Sequence, residues 1–154
     1  MIEGSVMLGS TILEAEAGEE WIPQEMAISP SRIERWGDAA DDHHPWYTED
    51  SPWGGRIAHP TIIYMLHAYA RGKAYPEGAG PGNAILHYVY DAEYHNVLRA
   101  GEKVTIKGRC AARYLKRDRD YVDLETESYG EDGRLIARSV MTFLLSYRRK
   151  ENQP

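Results

Sequence analysis

The sequence predicts an α+β domain in which an antiparallel sheet curls around one long central helix. Residues 60–71 are apolar on nearly every side, which is typical of a helix that other structure encloses. The chain from 84 to 147 is predicted to form strands with no helix between them, so helix and sheet are segregated along the sequence. With 154 residues the chain fits one domain, with a loose segment at 1–20 and a tail at 149–154.

The composition is that of an ordinary globular protein, with 42% hydrophobic and 27% charged residues. A net charge of −6 argues against a nucleic-acid partner, which favours a basic surface. Cys110 is the only cysteine, which excludes an internal disulfide and a zinc site built from cysteines. The sequence shows neither a secretory signal nor an apolar run of membrane-spanning length, and we therefore expect a cytoplasmic protein with no membrane partner.

The first half of the chain is predicted to contain short strands and one helix. Residues 6–13 are suited to an edge strand, and residues 26–28 are expected to close the first strand. Ser31 and Glu34 stand at the spacing of a capping box, which predicts a helix that runs to about Ala40. Pro45 then disfavours a helical conformation for the residue before it, and a loop follows at 51–55.

The central helix and the strands after it carry clearer signals. Pro60 suits a first helical turn and Gly72 a helix end. His67 lies inside this apolar helix, and we expect it to be a hydrogen-bonded core residue rather than a ligand. Four strands are then predicted as an antiparallel meander, with apolar and polar residues alternating in the middle two. Their approximate ranges are 84–94, 103–110, 121–127 and 135–147.

Three stretches of the chain carry a family resemblance. They are Asp-His-His-Pro-Trp-Tyr at 42–47, Gly-Gly-Arg-Ile-Ala-His-Pro-Thr at 54–61, and the turn at 97–104 with the strand pair that follows it. In this order they resemble the MaoC-like branch of the hot-dog fold, whose members hydrate or dehydrate acyl thioesters. The likeness covers about residues 22–148 and leans toward the N-terminal MaoC dehydratase subset, which has Ala-Pro-Pro-Thr before its central helix.

The resemblance implies where the site lies. In the family motif Asp-x-Asn-Pro-x-His, Asp42 takes the position of the Asp, His44 that of the Asn and Tyr47 that of the His. The family's Asp and His transfer protons, while backbone N–H groups at the start of the central helix hold the thioester oxygen. Carried over to this chain, the resemblance makes Gly55, Ile57 and Thr61 substrate-binding residues. Pro60 has no N–H, which leaves this role to the Thr61 N–H or to a side chain.

The residues themselves suggest how the proton chemistry is divided. Asp42 suits the carboxylate role, whereas Tyr47, with a pKa of about 10, is a hydrogen-bond donor rather than a base. If residues 42–44 are extended, the side chains of Asp42 and His44 point the same way and meet one water. His59 is a second source of imidazole.

Two other interpretations of these residues remain open. In one, Asp42 only caps a backbone turn, and His43 and His44 are solvated loop residues. In the other, Asp38 and His43 form the pair, since they stand five residues apart, as the family's Asp and His do. Neither a metal site nor a cofactor is expected, because no metal-ligand spacing, P-loop or dinucleotide fingerprint occurs.

The predicted function is a hydratase or dehydratase of an acyl-CoA or acyl-carrier thioester. The alternative is a non-catalytic subunit that pairs with a catalytic hot-dog partner and shapes the acyl-binding tunnel. A hot-dog ligand-binding or thioesterase-like module is a third possibility. In each case we expect a homodimer or heterodimer, because an unprotected sheet edge is a liability, and the strand at 84–94 is the expected contact.

Overall fold

The computed structural model describes residues 9–145, and this part of the chain forms one five-stranded antiparallel sheet with three α-helices and one short 3-10 helix. The elements are the 3-10 helix Ile12–Glu14, β1 Gln24–Ala27, α1 Pro30–Ala40, α2 Pro45–Thr48, α3 Ile62–Ala74, β2 Leu86–Tyr94, β3 Lys103–Lys116, β4 Arg119–Tyr129 and β5 Leu135–Leu144. The α+β prediction is confirmed. No helix among these residues is long and apolar enough to cross a membrane.

The strand order differs from the predicted meander. It is β1-β3-β4-β5-β2, so that only β3, β4 and β5 follow one another as hairpins. β2 pairs with β5 from Leu86↔Leu144 to Tyr94↔Ala137, and the chain then crosses the sheet to begin β3. β2 and β1 are therefore the two edges of the sheet. The alternation predicted for the middle strands is confirmed, and its buried members include Val104, Ile106 and Leu124.

α3 lies against the sheet and fills most of the core. Ile62, Ile63 and Leu66 are buried between the helix and the strands. Tyr64 and Tyr69, on the opposite side, are 37% and 38% exposed. The prediction of a central helix against the antiparallel sheet is confirmed, and within one protomer the sheet covers one face of α3 while the opposite face stays partly exposed.

The N-terminal segment is less loose than predicted. Ile12 and Ala15 are fully buried, and they belong to a 3-10 turn and its end rather than to an edge strand. Gly18 N–H donates to the carbonyl oxygen of Cys110, and Cys110 N–H donates back to Glu19, which extends the sheet beyond β1. This segment is held because its apolar residues close one end of the core. Residues 1–8 lie outside the described part of the chain.

The N-cap of α1 lies two residues before the predicted one. Ser29, not Ser31, is the N-cap, and its hydroxyl accepts a hydrogen bond from Arg32 N–H at 3.3 Å. Pro30 occupies the first helical position, where its missing N–H costs nothing. The predicted end near Ala40 is correct. The single-turn helix α2, at 45–48, was not expected from the sequence.

His67 joins α3 to two strands through a buried polar contact. Its Nδ1 lies 2.5 Å from Ser139 Oγ on β5, and its Nε2 lies 2.7 Å from Ser128 Oγ on β4. This confirms the prediction of a hydrogen-bonded core histidine. Burial lowers the pKa of His67 to about 4, so the ring is neutral near pH 7.

We predict that His67 makes the fold acid-sensitive. A histidine whose pKa falls on folding stabilises the native state fully above its unfolded pKa and loses that contribution as the pH falls toward its folded pKa. Between pH 7 and pH 5 the loss is about 2 kcal/mol, from an unfolded pKa of about 6.5. Denaturant unfolding at the two pH values measures this loss.

His67→Leu tests the origin of the effect. It leaves the Ser128 and Ser139 hydroxyls without their partner, so we expect lower stability at pH 7, by about 1–3 kcal/mol. The same variant removes the extra loss between pH 7 and pH 5. If its free energy of unfolding falls on acidification as much as that of the native chain, His67 is not the titrating group.

Candidate active site

The end of α1 determines where Asp42 stands. Asp41 closes the helix in the left-handed conformation, with φ 51° and ψ 42°, and Asp42 N–H donates to the carbonyl oxygen of Gly37 at 2.9 Å. A Cβ on Gly37 would stand 2.8 Å from the Asp42 carbonyl oxygen, so this close approach requires glycine. The chain therefore turns sharply after α1 and presents the Asp42 side chain beside the helix end.

The His44 ring caps α2, and among the contacts of residues 9–145 it forms no hydrogen bond or ion pair with the Asp42 carboxylate. The backbone of His44 is extended, as Pro45 requires, but its Nδ1 accepts a hydrogen bond from Trp46 N–H at 3.2 Å and caps α2. Asp42 Oδ1 instead accepts the His44 backbone N–H at 3.3 Å. Asp42 therefore in part performs the backbone-capping role, and its carboxylate contacts His44 through the backbone N–H rather than through the ring.

The imidazole that meets Asp42 comes from His59. His59 Nε2 lies 2.9 Å from Asp42 Oδ2, although the two residues are 17 positions apart in the sequence. The His59 side chain is 18% exposed and that of Asp42 is 39% exposed. The structure thus forms a partly shielded carboxylate–imidazole pair directly before α3, with one side of the carboxylate open to solvent.

Hydrogen bonds on the far side of His59 determine its protonation pattern. The Thr61 backbone N–H donates to His59 Nδ1 at 3.2 Å, so Nδ1 is an acceptor and the proton of the neutral ring lies on Nε2, facing Asp42. Thr61 Oγ1 lies 2.7 Å from the same nitrogen and accepts from Trp36 Nε1–H at 2.9 Å. Since Trp36 uses one lone pair of this hydroxyl, the Thr61 proton is free to point at His59.

The segment before His59 is held by backbone hydrogen bonds to neighbouring loops. Ala58 N–H donates to Leu98 at 2.8 Å, and Ile57 N–H donates to Trp46 at 2.9 Å. Ala100 N–H donates back to the Arg56 carbonyl oxygen at 2.8 Å. These contacts tie the site to the turn before β3 and to α2.

A buried ion pair stabilises the turn before β3. Both carboxylate oxygens of Glu102 accept hydrogen bonds from Arg134, at 2.5 and 2.7 Å, and Arg134 also donates to the Val97 carbonyl oxygen at 2.9 Å. Burial alone raises the pKa of Glu102, but the hydrogen bonds from Arg134 and from Arg99 N–H outweigh it and hold the pKa below its usual value. The turn that carries Leu98 is thereby fixed to the β4–β5 hairpin.

Arg56 ties α2 to α1 beside the carboxylate–imidazole pair. Its Nε donates to the Tyr47 carbonyl oxygen at 2.8 Å, and its Nη1 lies 3.2 Å from Glu34 Oε1 on α1. Sequence reasoning assigned no role to Arg56 or to Trp36. Arg56 lies inside one of the stretches that carry the resemblance, but no signal in the sequence indicates that Trp36 reaches Thr61.

Tyr47 lies beside the Asp42–His59 pair. Its ring centroid is 5.2 Å from that of His59 and 5.8 Å from that of His44. Burial, and then the negative charge of Asp42, raises the pKa of Tyr47 above its ordinary value, so the phenol stays protonated near neutral pH. The residue therefore offers a hydrogen-bond donor, as predicted from its chemistry.

The predicted substrate-binding residues occupy different environments. Gly55, with φ 90°, closes a tight loop in which its N–H donates to Asp50 Oδ1 at 2.7 Å. Ile57 is buried, whereas Thr61 is exposed at the start of α3. The alternative pair, Asp38 and His43, stands 3.8 Å apart on the open surface. Residues 9–145 hold no group of three or more histidines, cysteines or carboxylates arranged for a metal.

The first N–H groups of α3 already have partners. Thr61 N–H donates to the His59 ring, Ile62 N–H donates to the His59 carbonyl oxygen at 3.0 Å, and Ile63 N–H donates to Pro60 at 3.2 Å. The expected backbone donor for a thioester oxygen is thus engaged within the protomer.

Comparison with known protein families gives one match to this chain. The family model described as "FAS1-like, dehydratase domain region" matches residues 15–139. No curated protein sequence matches the chain.

Solved structures share the fold at low sequence identity. The unliganded R-hydratase PhaJ1 from Pseudomonas aeruginosa aligns with a TM-score of 0.69 and 14% identity, over 86% of this chain and 83% of that one. The C-terminally truncated HadBC (3R-hydroxyacyl-ACP dehydratase) complex from Mycobacterium tuberculosis gives 0.71 and 16%, over 83% and 96%. The ChsH1–ChsH2 complex from the same organism gives 0.66 and 12%, over 85% and 98%.

The low sequence identities show the fold alone, whereas the family model covers most of the chain, from the N-terminal segment to the middle of β5. The α+β architecture with its central helix agrees with both findings. The chain therefore belongs to the FAS1-like dehydratase family, and it shares its fold with hydratases and dehydratases of solved structure.

Proposed function

We propose that this chain is a hydratase or dehydratase of acyl thioesters in which Asp42 is the general base. The observation that carries the proposal is the 2.9 Å contact between Asp42 Oδ2 and His59 Nε2 at the start of the central helix. In the family resemblance the imidazole partner of the carboxylate stands at the position of Tyr47. Here His59 supplies the imidazole from another segment.

The hydrogen bonds divide the roles of Asp42 and His59. Both ring nitrogens of His59 have partners, Asp42 on one side and Thr61 on the other. The Asp42 carboxylate keeps lone pairs that face solvent, so it is the group that can accept a proton from a bound water. His59 orients the carboxylate and stabilises its charge.

Hydration of an α,β-unsaturated thioester then proceeds as follows. Asp42 takes a proton from water while the water oxygen bonds to C3, and the electrons of the C2–C3 double bond move toward the thioester carbonyl to form an enolate. The proton on Asp42 passes to C2 as the enolate collapses, which restores the carboxylate. The elements of one water are added, and dehydration of a 3-hydroxyacyl thioester is the reverse.

Tyr47 is our candidate donor to the enolate oxygen. Its hydroxyl is protonated near neutral pH and its ring lies beside His59. The α3 N–H groups that carry this role in the family are already engaged by His59 and Pro60. A donor placed where negative charge develops lowers the barrier more than it lowers the energy of the bound substrate.

A non-catalytic subunit is the second candidate. The engaged N–H groups of α3 favour it, because they remove the expected oxyanion donors. Two of the similar structures are complexes named for two components, HadBC and ChsH1–ChsH2. In this alternative the chain pairs with a catalytic hot-dog partner and shapes the acyl-binding tunnel.

Either function requires a partner protomer in our proposal. β2 is an edge strand, and Leu86, Val89 and Tyr94 on it are exposed. The open face of α3 beside it carries the exposed Tyr64 and Tyr69. A second hot-dog chain that pairs with β2, whether identical or different, covers both the strand edge and this apolar face.

The general-base assignment predicts the effect of Asp42→Asn. We expect the fold to persist and the turnover number for hydration of crotonyl-CoA to fall at least about 100-fold, the scale of losing a general base. Loss of the enoyl-thioester absorbance measures the rate. Asp38→Asn is the matched control, since Asp38 is an exposed carboxylate near another histidine, and it should leave the rate unchanged. Activity that survives Asp42→Asn refutes the base assignment.

Tyr47→Phe tests the proposed oxyanion donor. A hydrogen bond to a charged oxygen contributes about 1.5–3 kcal/mol, so we expect kcat to fall roughly 10- to 100-fold with little change in KM. Tyr129→Phe, which removes a hydroxyl that donates to Glu127 on β4, serves as the control. An equal effect of the two variants, or a change in KM alone, contradicts this role for Tyr47.

Light scattering tests the assembly. We expect the purified chain to be a dimer at micromolar concentration if it acts alone. If it is a supporting subunit, it should form a one-to-one complex with a second hot-dog chain. A stable monomer that hydrates crotonyl-CoA by itself contradicts the requirement for a partner.

A further inference from the structure

A second candidate binding site lies at the tip of the β3–β4 hairpin, away from Asp42 and His59. Tyr88, Lys116, Arg117, Arg119 and Tyr121 surround a cleft of about 370 Å³ there. None of these residues belongs to the proposed catalytic machinery. The cleft combines cationic side chains with aromatic rings.

The cations of the cleft are not neutralised within residues 9–145. Lys116, Arg117 and Arg119 form no ion pair there, although Arg113 nearby is paired with Asp120 at 2.8 Å. Even with the carboxylate of Asp118 in the same turn, these three cations leave a local excess of positive charge in a chain of net charge −6. An unneutralised cationic cluster next to a cleft is suited to an anion.

The hairpin geometry forces two of the cations together. Arg117 and Asp118 form the turn with φ of 53° and 58°, and Lys116 is paired directly with Arg119 across the strands. Like charges at directly opposite positions destabilise a hairpin. A bound anion would remove this repulsion, and the two side chains are placed to grip it from both strands.

Tyrosine rings form the other side of the cleft. The Tyr88 and Tyr121 ring centroids lie 5.6 Å apart, and Tyr114 stacks on Tyr121 at 5.6 Å with an interplanar angle of 11°. Tyr88, at the end of the row, is 58% exposed in the protomer. An exposed ring of this kind offers a stacking surface for a planar base.

A β-bulge places Tyr88 in the cleft. The register of β2 against β5 shifts between His87 and Val89, which leaves Tyr88 as the additional residue. His87 turns to the helix side, where its Nδ1 lies 3.1 Å from Tyr64 Oη on α3. The same short segment of β2 therefore contacts both the cleft and the helix that starts at the candidate active site.

We propose that this cleft binds the phosphorylated nucleotide end of a coenzyme A thioester. The cations would hold the phosphates and Tyr88 would stack on the adenine. The identity of the nucleotide rests on the proposed function. Asp123, the carboxylate beside the tyrosines, already accepts hydrogen bonds from Tyr114 Oη at 3.3 Å and Thr142 Oγ1 at 2.7 Å.

Calorimetric titration with adenosine 3′,5′-bisphosphate tests binding without any need for turnover. We expect saturable binding that weakens with salt and falls more than tenfold in Lys116→Gln/Arg119→Gln. Tyr88→Leu should weaken the bisphosphate but not inorganic phosphate, because only the bisphosphate carries a base. Arg109→Gln, a cation on another part of the sheet paired with Glu125, is the control and should change nothing.

Kinetics with two thioesters tests the link to substrate. The double variant should raise KM for crotonyl-CoA more than tenfold with kcat unchanged, and leave KM for crotonyl-pantetheine, which lacks the nucleotide, as it was. Equal changes in KM for the two thioesters overturn the proposal. So does a double variant that changes KM only for a crotonyl thioester carried on a carrier protein. If neither thioester is hydrated, the proposed function fails, and the bisphosphate titration decides this inference separately. Absence of saturable bisphosphate binding overturns it.

Discussion

The docking of residues 56–58 onto the turn before β3 is the constraint on which the candidate site depends. That turn is held by the buried ion pair between Glu102 and Arg134, which fixes it to the β4–β5 hairpin. Removing either partner leaves a buried charge without compensation, which typically costs about 3–5 kcal/mol. The pair therefore specifies one position for the turn. His59 follows directly after residues 56–58, so the position of the turn also determines the position of His59.

The two side chains of the candidate site are far apart in the sequence, and separate local features determine the position of each. The left-handed conformation of Asp41 and the close approach of the chain at Gly37 determine the position of Asp42, while the docked loop determines that of His59. Trp36, on α1, then contacts Thr61 and so links the end that carries Asp42 to the beginning of α3. Residues of α1 and of the start of α3 thus form one hydrogen-bond network. The distance between the Asp42 carboxylate and the His59 imidazole is therefore determined by the tertiary fold rather than by a short sequence motif.

The fold was readable from the sequence because its signals are local. The apolar run of α3 and the alternation in β3 and β4 follow from the periodicity of helices and strands. The crossover that puts β2 beside β5 was not predicted, since strand order depends on long-range pairing. The apolar run of α3 does not reveal that, within one protomer, only one face of this helix is fully buried.

The candidate site was only half predictable, and for a similar reason. Asp42 stands in a local motif, from which the sequence predicts it as a site residue. The sequence does not indicate that the His44 ring caps α2, because a helix of only four residues has no recognisable periodicity. His59 was named as an alternative imidazole, but its pairing with Asp42 depends on the docking of a loop onto a distant turn. The role of Trp36 depends on the packing of α1 against the start of α3.

A double-mutant cycle in kcat tests most directly whether Asp42 and His59 act as one unit. The variants are Asp42→Asn, His59→Gln and the two combined, assayed on crotonyl-CoA with the assembly that is active. If the pair is the proton-transfer device, the double variant loses hardly more activity than Asp42→Asn alone, because the unit is already broken. If the two losses multiply, or if His59→Gln has no effect, the two residues act independently and the central claim is wrong.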